Sequence, residues 1–306
     1  MNKKYSVVVP VLNEISNIEL LLVRLEQVSK KKNIEFEIII VDDGSRQSDI
    51  DSYPEIKNKF SFLNLKILIL GNNFGHQKAL EIGIKNAQGD YIITMDGDLQ
   101  DPPEFLDNLI SEIDDTSLDF VGTVRGSRKT NLMNKFLIFL FYKIISFLIE
   151  EKVIVNSGDF RIARKQVYKK IFSQHKPFYF FRFEVNKKEF KKKYLIYHQN
   201  KRINEMAKGR FIWYVDFAFQ AIVSSSDKLP KKALLVSVIS LSFFSILALI
   251  FFILFLIEKV SLLILISILV LIVINANAFI ILLVLDYIIF NYLSSGRTET
   301  INFKKI

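Results

Sequence analysis

The chain contains no cysteine and only three histidines among its 306 residues. Without cysteine it can form no disulfide bond, no thiol nucleophile and no zinc–thiolate centre. It also begins without a signal peptide, because the apolar run that follows Lys4 is too short to serve as one. We therefore expect the N-terminal domain to stay on the cytoplasmic side of a membrane.

Charge is nearly missing from one long part of the chain. Between residues 233 and 290 only three charged residues occur, which are Glu258, Lys259 and Asp286. The runs Leu234–Ile257 and Val260–Phe290 each exceed the roughly 20 apolar residues that a helical membrane span requires. Because the connection between them is so short, the pattern predicts a hairpin of two transmembrane helices.

Basic residues flank this predicted hairpin on both sides. They are Lys228, Lys231 and Lys232 before it, and Arg297, Lys304 and Lys305 after it. The positive-inside rule then places both termini in the cytoplasm, which predicts an integral protein of the cytoplasmic (inner) membrane. Proximity to membrane lipid also accounts for the net charge of +9, and no nucleic-acid-binding motif occurs, so we expect no nucleic-acid partner.

Residues 131–150 form a shorter apolar segment that contains Lys143. The segment is too apolar for an exposed helix and too short to span a bilayer. A helix lying in the membrane interface fits this pattern, and a buried core helix is the alternative. Its apolar surface also leaves open a homo-oligomer in which it packs against another subunit.

The first 125 residues alternate between strand-like and helix-like patterns. Strands are predicted at Val7–Pro10, Glu37–Asp42, Leu65–Leu70, Tyr91–Met95 and Asp119–Val124, with helices near Ile15–Lys31, Gly75–Ala87 and Pro103–Ile113. This order predicts an α/β fold with a doubly wound, mostly parallel sheet, in which ligands bind at the carboxyl ends of the strands.

Polar residues follow each of the five predicted strands. They are Asn13 and Glu14, Asp42 and Asp43, Asn72 and Asn73, Asp96 and Asp98, and Arg125 and Arg128. The tendency of loops to be polar explains part of this pattern. A ligand site at one edge of the sheet explains all five positions together.

The run Asp96-Gly97-Asp98 follows the fourth predicted strand. Alternate side chains of an extended segment share a face, so the two carboxylates are expected to point the same way. Such a pair suits Mg²⁺ or Mn²⁺, and Mg²⁺ usually completes its shell with substrate phosphates. A substrate that carries a diphosphate follows from this interpretation, whereas an ordinary Asp-Gly-Asp turn is the alternative.

Four motifs together resemble the family 2 glycosyltransferases of GT-A fold. They are Val8-Val9-Pro10-Val11-Leu12-Asn13-Glu14, Val41-Asp42-Asp43-Gly44-Ser45, Asn73-Phe74-Gly75 and Asp96-Gly97-Asp98-Leu99-Gln100-Asp101-Pro102. Their order, the run Gly158-Asp159-Phe160-Arg161 and the apolar tail further resemble the polyprenyl-phosphate glycosyltransferases. The resemblance covers nearly the whole chain.

This resemblance implies a role for each motif. The nucleotide pocket would be lined by Pro10, Asn13, Glu14, Asp42, Asp43 and Asn73. A divalent metal, Mg²⁺ or Mn²⁺, would be held by Asp96 and Asp98 with support from Gln100, and it would neutralise the leaving nucleoside diphosphate. Attack from the opposite face of the sugar would invert the anomeric configuration.

The implied acceptor is a lipid phosphate, which is already a nucleophile at neutral pH because its second pKa is near 6. The cations expected to hold it are Arg125, Arg128, Arg161, Arg202 and Lys208, and Asp159 would position the acceptor, touch the metal or cap a helix. Glu205 and Ala207 depart from the Ser-Lys-Tyr-like run of the subgroup. His76 stands where bactoprenol enzymes tend to carry a basic residue.

The sequence thus predicts transfer of one sugar from a UDP- or GDP-sugar to polyprenyl phosphate. The expected organisation is a nucleotide-sugar domain at 1–130, an acceptor-side and membrane-interface region at 131–230, two transmembrane helices at 231–292 and a cytoplasmic tail at 293–306. The alternatives are transfer to the hydroxyl of a lipid-linked saccharide, with Asp159 as the base, and a non-catalytic membrane subunit that retains the fold. A processive polysaccharide synthase is disfavoured because the Gln-x-x-Arg-Trp motif is missing.

Overall fold

The computed structural model describes residues 3–114, 117–126, 143, 154, 157–175, 179–200, 229–257, 262–295 and 303–306. These residues fall into two units. The first contains the described residues up to 200 together with 303–306, and the second contains the helices between 229 and 295. The segment 131–150, apart from Lys143, and the predicted acceptor residues Arg128, Arg202 and Lys208 lie outside the described residues.

The first unit is built on one sheet of eight strands. They are β1 (Tyr5–Val11), β2 (Phe36–Asp42), β3 (Asn64–Leu70), β4 (Tyr91–Thr94), β5 (Phe120–Arg125), β6 (Ser157–Arg164), β7 (Lys192–Tyr197) and β8 (Phe303–Lys305). Their spatial order is β7-β5-β6-β4-β1-β2-β3-β8. The mixed α/β sheet expected for a GT-A fold is therefore present.

The central strands β4, β1, β2 and β3 are mutually parallel, whereas β6 runs antiparallel to both β4 and β5. The strands β1 to β5 consequently all point the same way. Thr94 at the end of β4 pairs with Arg161 in β6, so the first residues of β6 lie beside the carboxyl end of β4. This register brings Asp159 to the edge where the five predicted polar clusters lie.

Helices cover both faces of the sheet. Their bounds are α1 (Ile15–Lys32), α2 (Gln47–Lys59), α3 (His76–Asn86), α4 (Leu106–Asp114), α5 (Lys165–Phe172) and α6 (Phe181–Glu184), with a 3₁₀ turn at Pro103–Phe105. Val7 and Val9 pack into the core under α1 and α4, whereas Val8 packs into a second core under α3 and α5. Because strand side chains alternate, both faces are apolar, and the doubly wound prediction holds.

The strand β8 was not predicted, because the expected cytoplasmic tail carries no strand pattern of its own. It pairs antiparallel with β3, Lys304 opposite Ile69, and Ile306 extends the contact with backbone hydrogen bonds to Ile67. Ile306 also packs against the larger core. Residues 303–306 are thus part of the first unit.

The second unit consists of two long helices that contact each other, α7 (Leu229–Leu256) and α8 (Leu262–Ser295). Within the part of the chain that the structure describes, no helix combines the length and the hydropathy of a membrane-crossing segment. The transmembrane hairpin stays a prediction.

Candidate active site

The carboxyl ends of β1 to β5 and the start of β6 meet at one edge of the sheet, where most predicted site residues lie. This follows from parallel strands, whose ends carry the loops that neighbouring helices cannot cover. The site has a side near β1, β2 and β3 and a side near β4, β5 and β6.

The loop Asp96–Asp101, here called the carboxylate loop, leaves β4 with a tight backbone. The amide of Gln100 donates to Oδ1 of Asp98 at 3.1 Å, and Leu99 adopts a left-handed conformation with φ +60°. A β-carbon at Gly97 would lie 2.6 Å from Cγ1 of Val11, so only glycine lets the loop approach β1 this closely. The loop is therefore shaped by both strands.

The residues of the carboxylate loop fit a divalent cation. Oδ1 of Asp96 is buried and has no hydrogen-bond partner, which is costly for a carboxylate oxygen unless a cation or a ligand meets it. No group of three or more His, Asp or Glu able to hold a metal occurs among the described residues. Mg²⁺ bound with substrate needs fewer, because one or two carboxylates suffice when diphosphate oxygens supply other ligands.

Asp159 lies at the centre of a buried ionic cluster, the Asp159 cluster, which also contains Arg161, Arg182 and His76. Asp159 has no exposed surface. Its carboxylate is 2.5 Å from Nη2 of Arg161, 2.8 Å from Nη2 of Arg182 and 3.3 Å from Nε2 of His76. Burial raises the pKa of Asp159, but the two guanidinium groups and His76 outweigh it and hold the pKa well below its usual range.

The Asp159 cluster extends towards the carboxylate loop. Nε2 of His76 lies 3.6 Å from Oδ1 of Asp96, and Nη2 of Arg125 lies 4.0 Å from the other oxygen. Desolvation lowers the pKa of His76, but its hydrogen bond to Asp159 and the charge of Asp96 raise it overall. The site therefore surrounds its acidic residues with positive charge, which suits a substrate rich in phosphate.

Asp43 fixes the backbone of the loop that precedes His76. Its two carboxylate oxygens accept hydrogen bonds from the amides of Phe74 at 2.8 Å and Gly75 at 2.9 Å. Burial raises the pKa of Asp43, and the two amides partly oppose the rise. Gly75 has φ +92° and precedes the first residue of α3, so Asp43 helps to fix where that helix starts.

Asp42 is buried without exposed surface and holds its own loop together. Oδ1 accepts from the amides of Gly44 at 3.1 Å and Ser45 at 2.8 Å, and Oδ2 accepts from the hydroxyl of Tyr53 at 2.5 Å. Gly44 has φ +81°, and a β-carbon there would meet the backbone of Asn72 at 2.6 Å. The carboxylate of Asp42 thus fixes the conformation of the Gly44–Ser45 loop beside the predicted nucleotide pocket.

The remaining predicted nucleotide-binding residues lie at the ends of β1 and β3. The amide of Asn13 donates to Oγ of Ser45 at 2.8 Å, and Glu14 accepts from Asn17 at 2.5 Å. Oδ1 of Asn73 accepts from the amide of Gly75 at 3.1 Å. Asn13 and Asn73 are exposed, Glu14 is partly exposed, and Pro10 is buried in β1.

Asp101 was not assigned a role from the sequence, although it belongs to the quoted motif. It has no exposed surface, it accepts a hydrogen bond from the hydroxyl of Tyr197, and its Oδ2 has no partner. Burial, followed by the charge of Asp96, raises its pKa to about 6. The spacing of Asp101 from Asp98 gave no sign of this, because Tyr197 lies 96 residues away in the chain.

Arg182 and Tyr197 were also missed, for the same reason. Arg182 lies in α6, which has four residues and is too short to show a helical period. Arg161, which the sequence suggested as an acceptor-binding residue, is only 1% exposed. Its Nε lies 3.2 Å from Oγ1 of Thr94, and its guanidinium faces Asp159 rather than open solvent.

In sequence, the chain is similar to known glycosyltransferases. The model of glycosyl transferase family 2 matches residues 6–172. An uncharacterized glycosyltransferase of Synechocystis sp. is 32% identical over 259 residues, covering 81% of this chain and 79% of that protein. The undecaprenyl-phosphate 4-deoxy-4-formamido-L-arabinose transferase of Yersinia enterocolitica is 34% identical over 158 residues, and there the match spans 52% of this chain and 46% of the relative.

Solved structures share the fold at low sequence identity. A mannosyltransferase from Pyrobaculum calidifontis, in complex with GDP-Man and Mn²⁺, has a TM-score of 0.51 at 16% identity over 74% of this chain and 64% of its own. Mannosyl-3-phosphoglycerate synthase from Rubrobacter xylanophilus has a TM-score of 0.50 at 14% identity and 75% coverage of both chains.

Proposed function

The chain belongs to glycosyl transferase family 2, and from this premise we propose that it transfers one sugar from a nucleotide-diphosphate sugar to polyprenyl phosphate at the cytoplasmic face of a membrane. The similarity to undecaprenyl-phosphate transferases supports this acceptor. The chain spans about half the length of those relatives or less, so their acceptor is part of the proposal.

The environment of Asp159 is the observation that carries the choice of acceptor. A hydroxyl acceptor needs a general base, and Asp159 was the candidate for that role. Its carboxylate is fully buried, its pKa is held below the usual range, and the side chains of Arg161, Arg182 and His76 all contact it. A phosphate acceptor needs no such base because it is already ionised at neutral pH.

The donor lies, in this proposal, along the ends of β1, β2 and β3, with its diphosphate towards the carboxylate loop. Asp96 and Asp98, with Gln100, would hold Mg²⁺ or Mn²⁺. When bound, the cation would neutralise charge that develops on the leaving nucleoside diphosphate. Asn13, Glu14 and Asn73 would contact the nucleotide, while Asp42, Asp43 and Pro10 shape the loops that present them.

The acceptor phosphate approaches, in this proposal, from the side of β5 and α6. Arg125 and Arg182 are cations there that retain exposed surface, and Arg128, Arg202 and Lys208 are the further candidates from the sequence. In-line attack from this side would invert the anomeric carbon. Arg161 would act indirectly by fixing Asp159 and, through it, Arg182.

We propose that α7 and α8 form a membrane hairpin with both chain termini in the cytoplasm. The long apolar runs, in which Asp286 is the one charged residue, and the flanking basic residues support this arrangement. The pairing of β8 with β3 adds a topological reason, because a chain that leaves the first unit and returns to it must cross a membrane an even number of times.

The test is incubation of membranes that contain the protein with undecaprenyl phosphate, Mn²⁺ or Mg²⁺ and a panel of radiolabelled UDP- and GDP-sugars. We expect metal-dependent transfer of label to the organic phase from one donor, and loss of that transfer in Asp98→Ala. The control is Asp51→Ala, because Asp51 is an exposed residue bonded to Gln47 in α2. Transfer only to a lipid-linked saccharide would refute the acceptor, and no transfer from any donor would favour a non-catalytic subunit.

A further inference from the structure

The segment Tyr197–Asn200, here called the clasp, follows β7 and contacts the carboxylate loop at three points. The hydroxyl of Tyr197 donates to Oδ1 of Asp101. The amide of Asn200 donates to the carbonyl of Gln100 at 2.9 Å, and its side chain donates to the carbonyl of Leu99 at 3.3 Å. These contacts join residues about 100 positions apart in the chain.

The carboxylate loop needs such support because its backbone is strained. Leu99 has φ +60° without being glycine, and it is 2% exposed. A left-handed residue of this kind is disfavoured by contact of its β-carbon with the backbone and persists only where the surrounding structure determines it. The two hydrogen bonds from Asn200 hold the carbonyl groups of Leu99 and Gln100, which belong to the two peptides that flank the α-carbon of Gln100.

We propose that Tyr197 and Asn200 are positioning residues that set the geometry of the metal-binding carboxylates Asp96 and Asp98. The inference rests on the proposed function for the identity of those ligands, but not for the contacts themselves. Tyr197 fixes the end of the loop at Asp101, and Asn200 fixes its strained centre. Neither side chain is needed to touch substrate in this role.

The β7 strand supplies a matched control for Tyr197. Tyr194 lies on the same strand, and its hydroxyl donates to Oδ1 of Asn186, away from the carboxylate loop. The ring of Tyr197 packs on Phe105 and Phe160 at centroid distances of 5.6 and 5.5 Å. Tyr197→Phe keeps that packing and removes only the hydroxyl, as Tyr194→Phe does at its own position.

The first test measures amide hydrogen exchange in the metal-free, detergent-solubilised full chain. In Tyr197→Phe and Asn200→Ala we expect exchange across residues 95–101 to be about fivefold to tenfold faster than in wild type, the change that loss of one hydrogen bond allows. Exchange in α1 should be unchanged, which separates positioning from global destabilisation. Unchanged exchange of the loop in both variants would overturn the proposal.

The second test titrates Mn²⁺ by electron paramagnetic resonance in the presence of UDP or GDP. We expect both clasp variants to bind Mn²⁺ about fivefold to tenfold more weakly than wild type and Tyr194→Phe to bind it equally well. Equal binding by all variants would contradict the positioning role. If wild type itself binds no Mn²⁺, the metal assignment of the proposed function fails, and the exchange measurement still decides the role of the clasp.

Discussion

At the scale of single residues, the Asp159 cluster shows how one buried charge depends on its partners. The carboxylate of Asp159 orients Arg161, Arg182 and His76 from within the protein. A buried charge is tolerated only when it is paired, so each member of the cluster depends on the others.

Asp159→Asn tests that dependence. Removal of the negative charge leaves the buried guanidinium of Arg161 and the mostly buried guanidinium of Arg182 without their counter-charge, and it also removes one of the two carboxylates beside the more exposed His76. We expect the free energy of unfolding at pH 7 to fall by about 3–5 kcal/mol, as for other broken buried ion pairs. Thermal unfolding of the detergent-solubilised chain measures the loss, and a melting temperature equal to that of wild type would contradict the account.

The carboxyl group of Asp101 should make stability depend on pH in the sense opposite to an ion-paired carboxylate such as Asp159, because its pKa is raised rather than lowered. Its pKa is raised to about 6 in the folded chain, against about 3.9 in an unfolded chain. Between about pH 4 and pH 6 this carboxyl is ionised in the unfolded chain but still protonated in the folded chain. The free energy of unfolding therefore falls as the pH rises through this range, by about 3 kcal/mol in total. Asp101→Asn should remove this cost.

The measurement compares thermal unfolding of wild type and Asp101→Asn at pH 4 and pH 7.5, both with a metal chelator. The stability of the variant relative to wild type should increase with pH. A difference that stays constant across that range would show that the carboxyl of Asp101 titrates in the folded chain as it does in the unfolded one.

Sequence reasoning can single out residues where the pattern is local. The runs around Asp43 and Asp96 were recognisable because strand, turn and carboxylate follow one another directly. Asp42 was assigned to the ligand, but Tyr53 and its own loop hold both of its oxygens. Arg182 could not be assigned, because its partner Asp159 is 23 residues away and no periodic pattern links them.

At the scale of elements, the strands β1 to β5 were predictable and β6 to β8 were not. Central parallel strands are buried on both faces and read as apolar runs bounded by turns. β8 contains two exposed lysines and is a strand only because the edge of β3 offers it hydrogen bonds. Pairing partners far apart in the chain leave no local signal.

Deletion of residues 303–306 tests whether β8 supports the first unit. The deletion uncovers the edge of β3 and removes the packing of Ile306, so we expect the free energy of unfolding to fall by about 2 kcal/mol. Chemical denaturation followed by far-ultraviolet circular dichroism measures this free energy. Lys304→Ala combined with Lys305→Ala keeps the backbone and should be near wild type; an equal loss in both variants would mean that the lysine charges, not the strand, matter.

At the scale of the whole molecule, the route of the chain links its two units. The first unit takes in residues on both sides of the apolar helices α7 and α8. Because β8 is hydrogen-bonded into the same sheet as β1, the hairpin proposed above requires residues 5–11 and 303–305 to lie on the same side of the membrane.

The lack of cysteine makes this topology directly testable. Single cysteines introduced by Ser16→Cys, Lys304→Cys and Glu258→Cys can be labelled in intact spheroplasts with a membrane-impermeant maleimide, since the parent chain has no reactive thiol. We expect labelling of the Glu258→Cys variant alone before the membrane is permeabilised and of all three afterwards. Labelling of Lys304→Cys but not Ser16→Cys in intact spheroplasts would contradict the hairpin.

The central claim is that the acceptor's nucleophile is a phosphate that needs no protein base. The most direct measurement offers the enzyme undecaprenyl phosphate or undecaprenol, which differ only in the phosphate, with the same donor and Mn²⁺. The account predicts that label enters the organic phase with undecaprenyl phosphate and stays at background with undecaprenol. Comparable transfer to the alcohol would contradict it, because the site would then have to deprotonate a hydroxyl.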